Sequence, residues 1–298
     1  MASNKSFSNN QQALAYTYLV PAFLVMGLVV LWPFVYNLII SFSNMNLTTF
    51  HNWKLIGFGN YLKVFEDNNF WYFFYKSILW TVLNIIFHVG LGVFLALILN
   101  KKLKGTPIFR ILLILPWAVP QYITALTWRG MFNYEYGAVN LILGQFGFGP
   151  VEWLSTEWGA FFACVITNIW LGIPFMMIVA LGGLQSIPAD LYEAAEIDGA
   201  TPWYQFWNIT VPLLKPVMIP AITLGVIWTF NNFNVVWLVS NGGQPSDTSH
   251  LLISWVYKNG LNYMNIGYAA AFSMVIFGIL LLFGSNFIKR TKGTESVY

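Results

Sequence analysis

The sequence predicts an all-α, polytopic membrane protein with six transmembrane helices, and three observations predict it. Of its 298 residues, 57% are hydrophobic and only 8% are charged, where soluble domains carry about 25%. Six apolar stretches each reach the roughly 20 residues that a helix needs to cross a bilayer. The 14 Trp, 15 Tyr and 26 Phe suit anchoring at membrane–water interfaces. Lipid is therefore the expected solvent. The formal net charge of +3 is small and dispersed, which excludes a nucleic-acid-binding surface.

The expected spans lie near 14–42, 77–100, 108–132, 159–183, 213–240 and 266–288. They leave a tail at 1–13, a transmembrane domain at 14–292 and a tail at 293–298. Residues 1–13 are polar with one basic residue, Lys5, and the first apolar run is too long for a signal h-region, so no cleavable leader is expected. Between the first two spans, Gly57-Phe-Gly-Asn-Tyr-Leu and Phe65 to Trp71 interleave aromatic and polar residues, which predicts a short interfacial helix. Residues 241–250 carry turn chemistry and end the fifth span. The lone Cys164 has no intrachain partner and reads as a small packing residue.

Basic residues set the orientation. Lys5, Lys101, Lys102, Lys104, Arg110, Lys215, Lys289, Arg290 and Lys292 fall on one side, nine in all, against Lys54, Lys63, Lys76, Arg129 and Lys258, five, on the other. The first side, with both termini, is expected to be cytoplasmic. The connection 184–212 on that side breaks the pattern, for it holds Asp190, Glu193, Glu196 and Asp198 and no Lys or Arg.

That loop has its own local logic. Good helix formers follow Pro188, so a helix is expected from Asp190 to Ile197. Gly199 can end it in a left-handed conformation. Pro202 suits the first turn of a second helix carrying Trp203, Phe206, Trp207 and Ile209, with Pro212 separating this from the next span. Ala194 and Ala195 allow close approach of another surface, and the flanking carboxylates offer charge complementarity.

The spacing Glu193-Ala194-Ala195, then Gly199, then Ile209-x-x-Pro212 resembles the EAA motif of ATP-binding-cassette importer permeases. The likeness extends to Leu113–Pro120, Asn168–Met177, Phe230–Asn234 and Asn241–Gly243, which are similar to the carbohydrate family, nearest the maltose/maltodextrin MalF-type subunit, over about residues 55 to 285. The resemblance implies a type I permease fold. It implies that Glu193, Ala194, Ala195, Asp198, Gly199, Ile209 and Pro212 couple to an ATPase dimer docking on 193–209. It further implies a second, MalG-like permease subunit and an extracytoplasmic solute-binding protein, with ATP and Mg²⁺ held by the ATPase and no cofactor on this chain. The extra N-terminal spans and large extracytoplasmic insert of some maltose-type members are not expected here, so contacts made by that insert do not carry over.

Polar groups at mid-membrane are costly and face a pathway or another helix. Gln121 lies one turn after Trp117. Asn168 shares a helix face with Leu171, Gly172 and Phe175. Gly225, Trp228, Thr229 and Asn232 can line one face of the fifth span. Amides donate and accept hydrogen bonds with sugar hydroxyls, while Trp and Phe offer flat faces for sugar rings. Pro116, Pro120 and Pro174 disrupt helical bonding, as suits spans lining a cavity. The structural alternative is that these amides only bond neighbouring helices. Together with the matching positions in maltose-type permeases, the set is expected to bind maltose/maltodextrin or a similar oligosaccharide, or else another neutral sugar or polyol. The residue types at Trp117, Gln121, Gly225 and Thr229 differ from those expected in maltose-type members.

Several classes are disfavoured. The expected spans contain no carboxylate, which an ion-coupled secondary transporter would want. His88 is the one ionisable group well inside a span and is expected to be a hydrogen-bonded packing residue. No phosphate-binding loop of the form G-x-x-x-x-G-K-[ST] is present, so ATP hydrolysis is expected on a partner. No catalytic group and no cluster with metal-ligand spacing is visible. A channel-like protein without an ATPase partner is the remaining competitor.

Overall fold

The computed structural model describes residues 9–101 and 104–291. Lys5, Lys102, Lys292, residues 1–8 of the first tail and the second tail at 293–298 lie outside them. Among the described residues the chain is helical, with a single isolated bridge between Ser43 and Leu55. It divides into two compact units, one made of residues up to 66 with 258–275, the other of 67–257 with those from 276 onward.

In the first unit, helix α1 (Asn9–Met26) runs through a π-type turn (Gly27–Leu31) into α2 (Trp32–Ser41). Only 6% of the most apolar stretch of this first span is buried by the chain. The expected interfacial helix is α3 (Gly59–Glu66). Its buried Asn60 donates to Ser41 O at 3.0 Å and Ser43 O at 2.7 Å, which satisfies carbonyls that α2 leaves open at its end. Gly267 packs there too, donating to Met45 O at 2.8 Å.

The second unit is built on two long helices, α4 (Asn68–Asn100) and α8 (Glu157–Ser186). The α4 helix starts nine residues before the expected span because the Asp67 side chain caps it, accepting from Asn69 N at 2.9 Å. Thr156 caps α8 in the same way through Gly159 N, at 3.2 Å. Glycines let the two backbones approach, as small residues do in membrane bundles. A Cβ at Gly92 would meet Met176 Cβ at 2.7 Å, and one at Gly172 would collide with the His88 ring. The contact is reciprocal, for each helix supplies one glycine and one filling side chain.

The expected third span differs from a continuous helix. It is α5 (Thr106–Ala118) and α6 (Gln121–Met131), bent by 93° across the break. Pro120 has no N–H to donate and drives the residue before it out of helical geometry; Val119 is extended, with φ −78° and ψ 134°. A short helix α7 (Ala138–Gln145) lies between α6 and α8.

The loop 184–212 forms α9 (Asp190–Ile197), with the expected bounds. Gly199 has φ +77°. Gly199 N donates to Glu196 O at 3.0 Å and Ala200 N to Ala195 O at 2.8 Å, the paired closure of a Schellman C-terminus. The second helix α10 (Pro202–Gln205) is capped by Thr201, which accepts from Tyr204 N. Here one expectation is corrected. Pro212 does not separate this stretch from the next span. The chain passes through a π-type turn (Phe206–Thr210) directly into α11 (Val211–Phe230). Val211 N reaches back five residues to Phe206 O, and this wider register carries the helix past a proline in its first turn, where no N–H is needed.

The fifth span is also broken. After α11, Asn231 and Asn232 leave helical geometry before α12 (Phe233–Val239), which Asn232 caps by accepting from Val235 N at 3.2 Å. Helices α13 (Leu252–Tyr257) and α14 (Ile266–Thr291) come next. By length and composition, five helical stretches can cross a membrane, and six if the bent α5–α6 pair is one span.

Candidate functional site

The two interrupted helices and the α4–α8 pair line a half-open cavity of about 630 Å³. Proline and asparagine create it locally. The break before Gln121 turns Trp117 to Gln121 toward α8, and the break after Phe230 brings Asn231 to Asn234 opposite them. All ten residues expected at a binding site line this one cavity: Trp117, Gln121, Asn168, Leu171, Gly172, Phe175, Gly225, Trp228, Thr229 and Asn232.

The walls are of two kinds. One is aromatic. Phe175 sits between two half-exposed indoles, with its centroid 6.4 Å from Trp117 and 5.2 Å from Trp228. The other is amide. Asn168 is buried, and its Nδ2 donates to Asn84 Oδ1 at 2.8 Å while its Oδ1 accepts from Asn232 Nδ2 at 2.7 Å. Asn84 in turn donates to Trp80 O at 2.8 Å, and Trp80 Nε1 donates to Thr229 O at 2.8 Å. Asn168 and Asn232 thus hold the wall together first, in keeping with the helix-bonding alternative for these two. Gln121 accepts from Asn234 Nδ2 at 3.1 Å through its Oε1, which leaves its own Nε2 donors for a ligand.

Electrostatically the cavity is neutral. Its lining contains no carboxylate, lysine or arginine. His88 is its one ionisable side chain, buried and donating from Nε2 to Asn168 O at 2.9 Å. Among the described residues no group of His, Cys, Asp or Glu could hold a metal ion.

Several lining residues escape a sequence reading. Asn231, Phe233 and Asn234 enter through the helix break, and Asn84 supports the wall from behind without touching the cavity. The signal for the first three was present in Phe230-Asn-Asn-Phe-Asn234, since two adjacent amides in an apolar run mark a helix interruption.

A second site spans α9, α10 and the start of α11. Glu193, Ala194, Asp198, Gly199 and Pro212 are exposed, while Ala195 and Ile209 are partly covered. Ile197 and Trp203 are 87% and 72% exposed. Tyr192 OH and Thr210 Oγ1 lie 2.9 Å apart and tie α9 to the π-type turn.

Lys76 corrects the sequence count, which placed it on an outer connection. It lies within α4 and is buried, pairing with Glu157 Oε1 at 3.2 Å and donating to Thr248 O at 2.6 Å. Its ammonium also stands 5.3 Å from the Trp158 ring centroid, and Tyr72 OH donates to the same carboxylate. These contacts pin the loop 241–250 to α4 and α8.

Comparison with known proteins adds the family context. The family described as binding-protein-dependent transport system inner membrane component matches residues 88–291. The chain is 38% identical over 276 residues to the trehalose/maltose transport system permease protein MalF of Thermococcus litoralis, covering 93% of this chain and 92% of that one. It is 32% identical to the sulfoquinovosyl glycerol transport system permease protein SmoG of Agrobacterium fabrum, covering 94% and 91%. It is 38% identical to the maltose/maltodextrin permease MalF of Klebsiella aerogenes over 80% of this chain and 49% of that one. Among solved structures, a bacterial ABC transporter involved in import of the acidic polysaccharide alginate shares the fold, with a TM-score of 0.82 at 22% identity over 95% of this chain and 96% of that one.

Proposed function

Because the chain belongs to the family of binding-protein-dependent transport system inner membrane components, we propose that it is the permease subunit of an ATP-binding-cassette sugar importer and passes maltose/maltodextrin or a similar neutral oligosaccharide. The neutral lining of the cavity is the observation that carries this reading. Flat aromatic faces at Trp117, Phe175 and Trp228 suit the apolar faces of sugar rings, and Gln121, Asn231 and Asn234 supply amide donors and acceptors. Named relatives include permeases for a sulfonated glycoside and for trehalose/maltose. An anionic cargo calls for Arg or Lys in the lining, and this cavity has neither, which favours the neutral end of that range. Another neutral sugar or a polyol is the second reading.

In this scheme a solute-binding protein delivers the sugar to the side opposite α9, and a second permease subunit completes the pathway. An ATPase dimer, which holds ATP and Mg²⁺, docks on 193–209. The short, exposed helix bearing Ala194 and Ala195 between carboxylates supports that docking. ATP-driven closure of the dimer moves α9, and the Tyr192–Thr210 contact passes the motion to α11 and the cavity. Both termini and α9 face the cytoplasm in this arrangement, within the cell membrane.

The test is uptake into proteoliposomes that hold the complete importer and its binding protein. ATP-dependent accumulation of radiolabelled maltose or trehalose, with no accumulation of a sulfonated glycoside, is expected. Equal uptake of the anionic sugar, or uptake independent of ATP, overturns the reading.

A further inference from the structure

A second cavity, of about 910 Å³, opens on the surface between α4, α11 and the segment 202–207. Two apolar ladders form its walls. On α4, Val89, Val93 and Leu97 repeat every four residues and end at Lys101. On α11, Ile222 and Met218 descend one turn at a time and end at Lys215. The helices are antiparallel, so both lysines close the same end. Trp203 and Trp207 stand at that end as well, where indoles sit in membrane interfaces.

Three facts identify the occupant. From Val89 to Lys101 the rise is roughly 18 Å at 1.5 Å per residue, close to half of a hydrocarbon core of about 30 Å. The groove thus serves one leaflet, whereas a transmembrane partner helix would need walls along the whole of α4. Neither Lys101 nor Lys215 has an ion-pair partner among the described residues, and the lining holds no carboxylate. Basic pockets between spans on the cytoplasmic side take anionic lipid headgroups.

We propose that this groove binds one anionic phospholipid of the leaflet on the α9 side, with its acyl chains between the two ladders and its phosphate held by Lys101 and Lys215. The site rests on the chain being embedded in a bilayer and is independent of which cargo the first cavity takes. The lipid would lie against Trp203 and Trp207, on the same segment that comes after α9.

Native mass spectrometry of the delipidated, complete importer, titrated with phosphatidylglycerol or phosphatidylcholine, tests this. Phosphatidylglycerol is expected to bind in preference. The K101Q/K215Q variant is expected to weaken it about 30-fold, since each lysine near the surface contributes roughly fivefold. A K54Q/K63Q control, with both residues exposed elsewhere, is expected to leave binding unchanged. An acyl-diazirine phosphatidylglycerol should label peptides within 89–101 and 211–222. Equal retention of the two lipids, an unaffected double variant, or a crosslinker at Ile222 that captures the second permease instead of lipid would falsify the site.

Discussion

Asn168 on α8 and Asn232 at the α11–α12 break, sixty-four positions apart in the chain, are joined by a 2.7 Å amide–amide hydrogen bond. The same Asn168 amide reaches α4 through Asn84 at 2.8 Å. One side chain therefore fixes three elements around the cavity. Replacing Asn168 by Leu leaves Asn84 and Asn232 without these partners. We expect a loss of about 0.6–2 kcal/mol, the range for interhelical hydrogen bonds in membranes, measured by unfolding in mixed micelles. An N168L/N232L double variant is expected to lose less than the sum of the singles; strict additivity would show that the bond carries no coupling.

The glycines of α4 allow a matched comparison. Gly92→Ala places a methyl group 2.7 Å from Met176 Cβ and 2.9 Å from Met177 N, whereas Gly90→Ala meets nothing within 4 Å. Overpacking costs typically about 1–3 kcal/mol. Gly92→Ala is expected to lower the melting temperature of the purified protein, and Gly90→Ala to leave it unchanged or raise it.

Gly199 carries φ +77° in open space, with nothing within 4 Å of the point where a Cβ would stand. Its requirement is conformational and not steric crowding. Gly199→Ala strains the turn by about 1–2 kcal/mol, and Gly199→Asn by less. Gly199→Pro cannot adopt this φ at all. Sugar-dependent ATP hydrolysis by the assembled importer is expected to fall in the order Asn, Ala, Pro, while the purified permease keeps its helicity. Full activity with proline would remove α9 from the coupling role.

At the cavity, Trp117→Ala removes one of the two half-exposed indoles flanking Phe175. We expect uptake to fall by an order of magnitude or so, from the loss of about 1–1.5 kcal/mol of aromatic contact, with Trp117→Phe retaining most of it. The binding protein's own affinity for sugar, measured by calorimetry, should not change. Uptake insensitive to the alanine variant would place the sugar elsewhere.

Local rules made much of this fold legible. Pro188, Gly199 and Pro202 bound α9 because start and stop signals act within a few residues. Asn168, Leu171, Gly172 and Phe175 share a face through helix periodicity alone. The burial of Lys76 was not legible, because its partners Glu157 and Thr248 lie 81 and 172 positions away. Nor did the proline content of the third stretch give the 93° bend. A proline removes a hydrogen bond, but the angle depends on the surfaces against which the two halves pack. For Asn168 and Asn232 the sequence left ligand binding and helix bonding open; both line the cavity, and they bond each other across it, a pairing between residues sixty-four positions apart that no local rule gives.

The reciprocal insertion of Met176 against Gly92 and of His88 against Gly172 has a mechanical consequence. Two helices locked in both directions cannot slide or roll independently without a clash. Any displacement that reaches the cavity is then most easily taken up at the two helix interruptions, where Val119 and Asn232 leave helical geometry and Pro120 has no N–H to donate. Under the proposed transport cycle the α4–α8 pair would act as the stator and the two interruptions as its hinges.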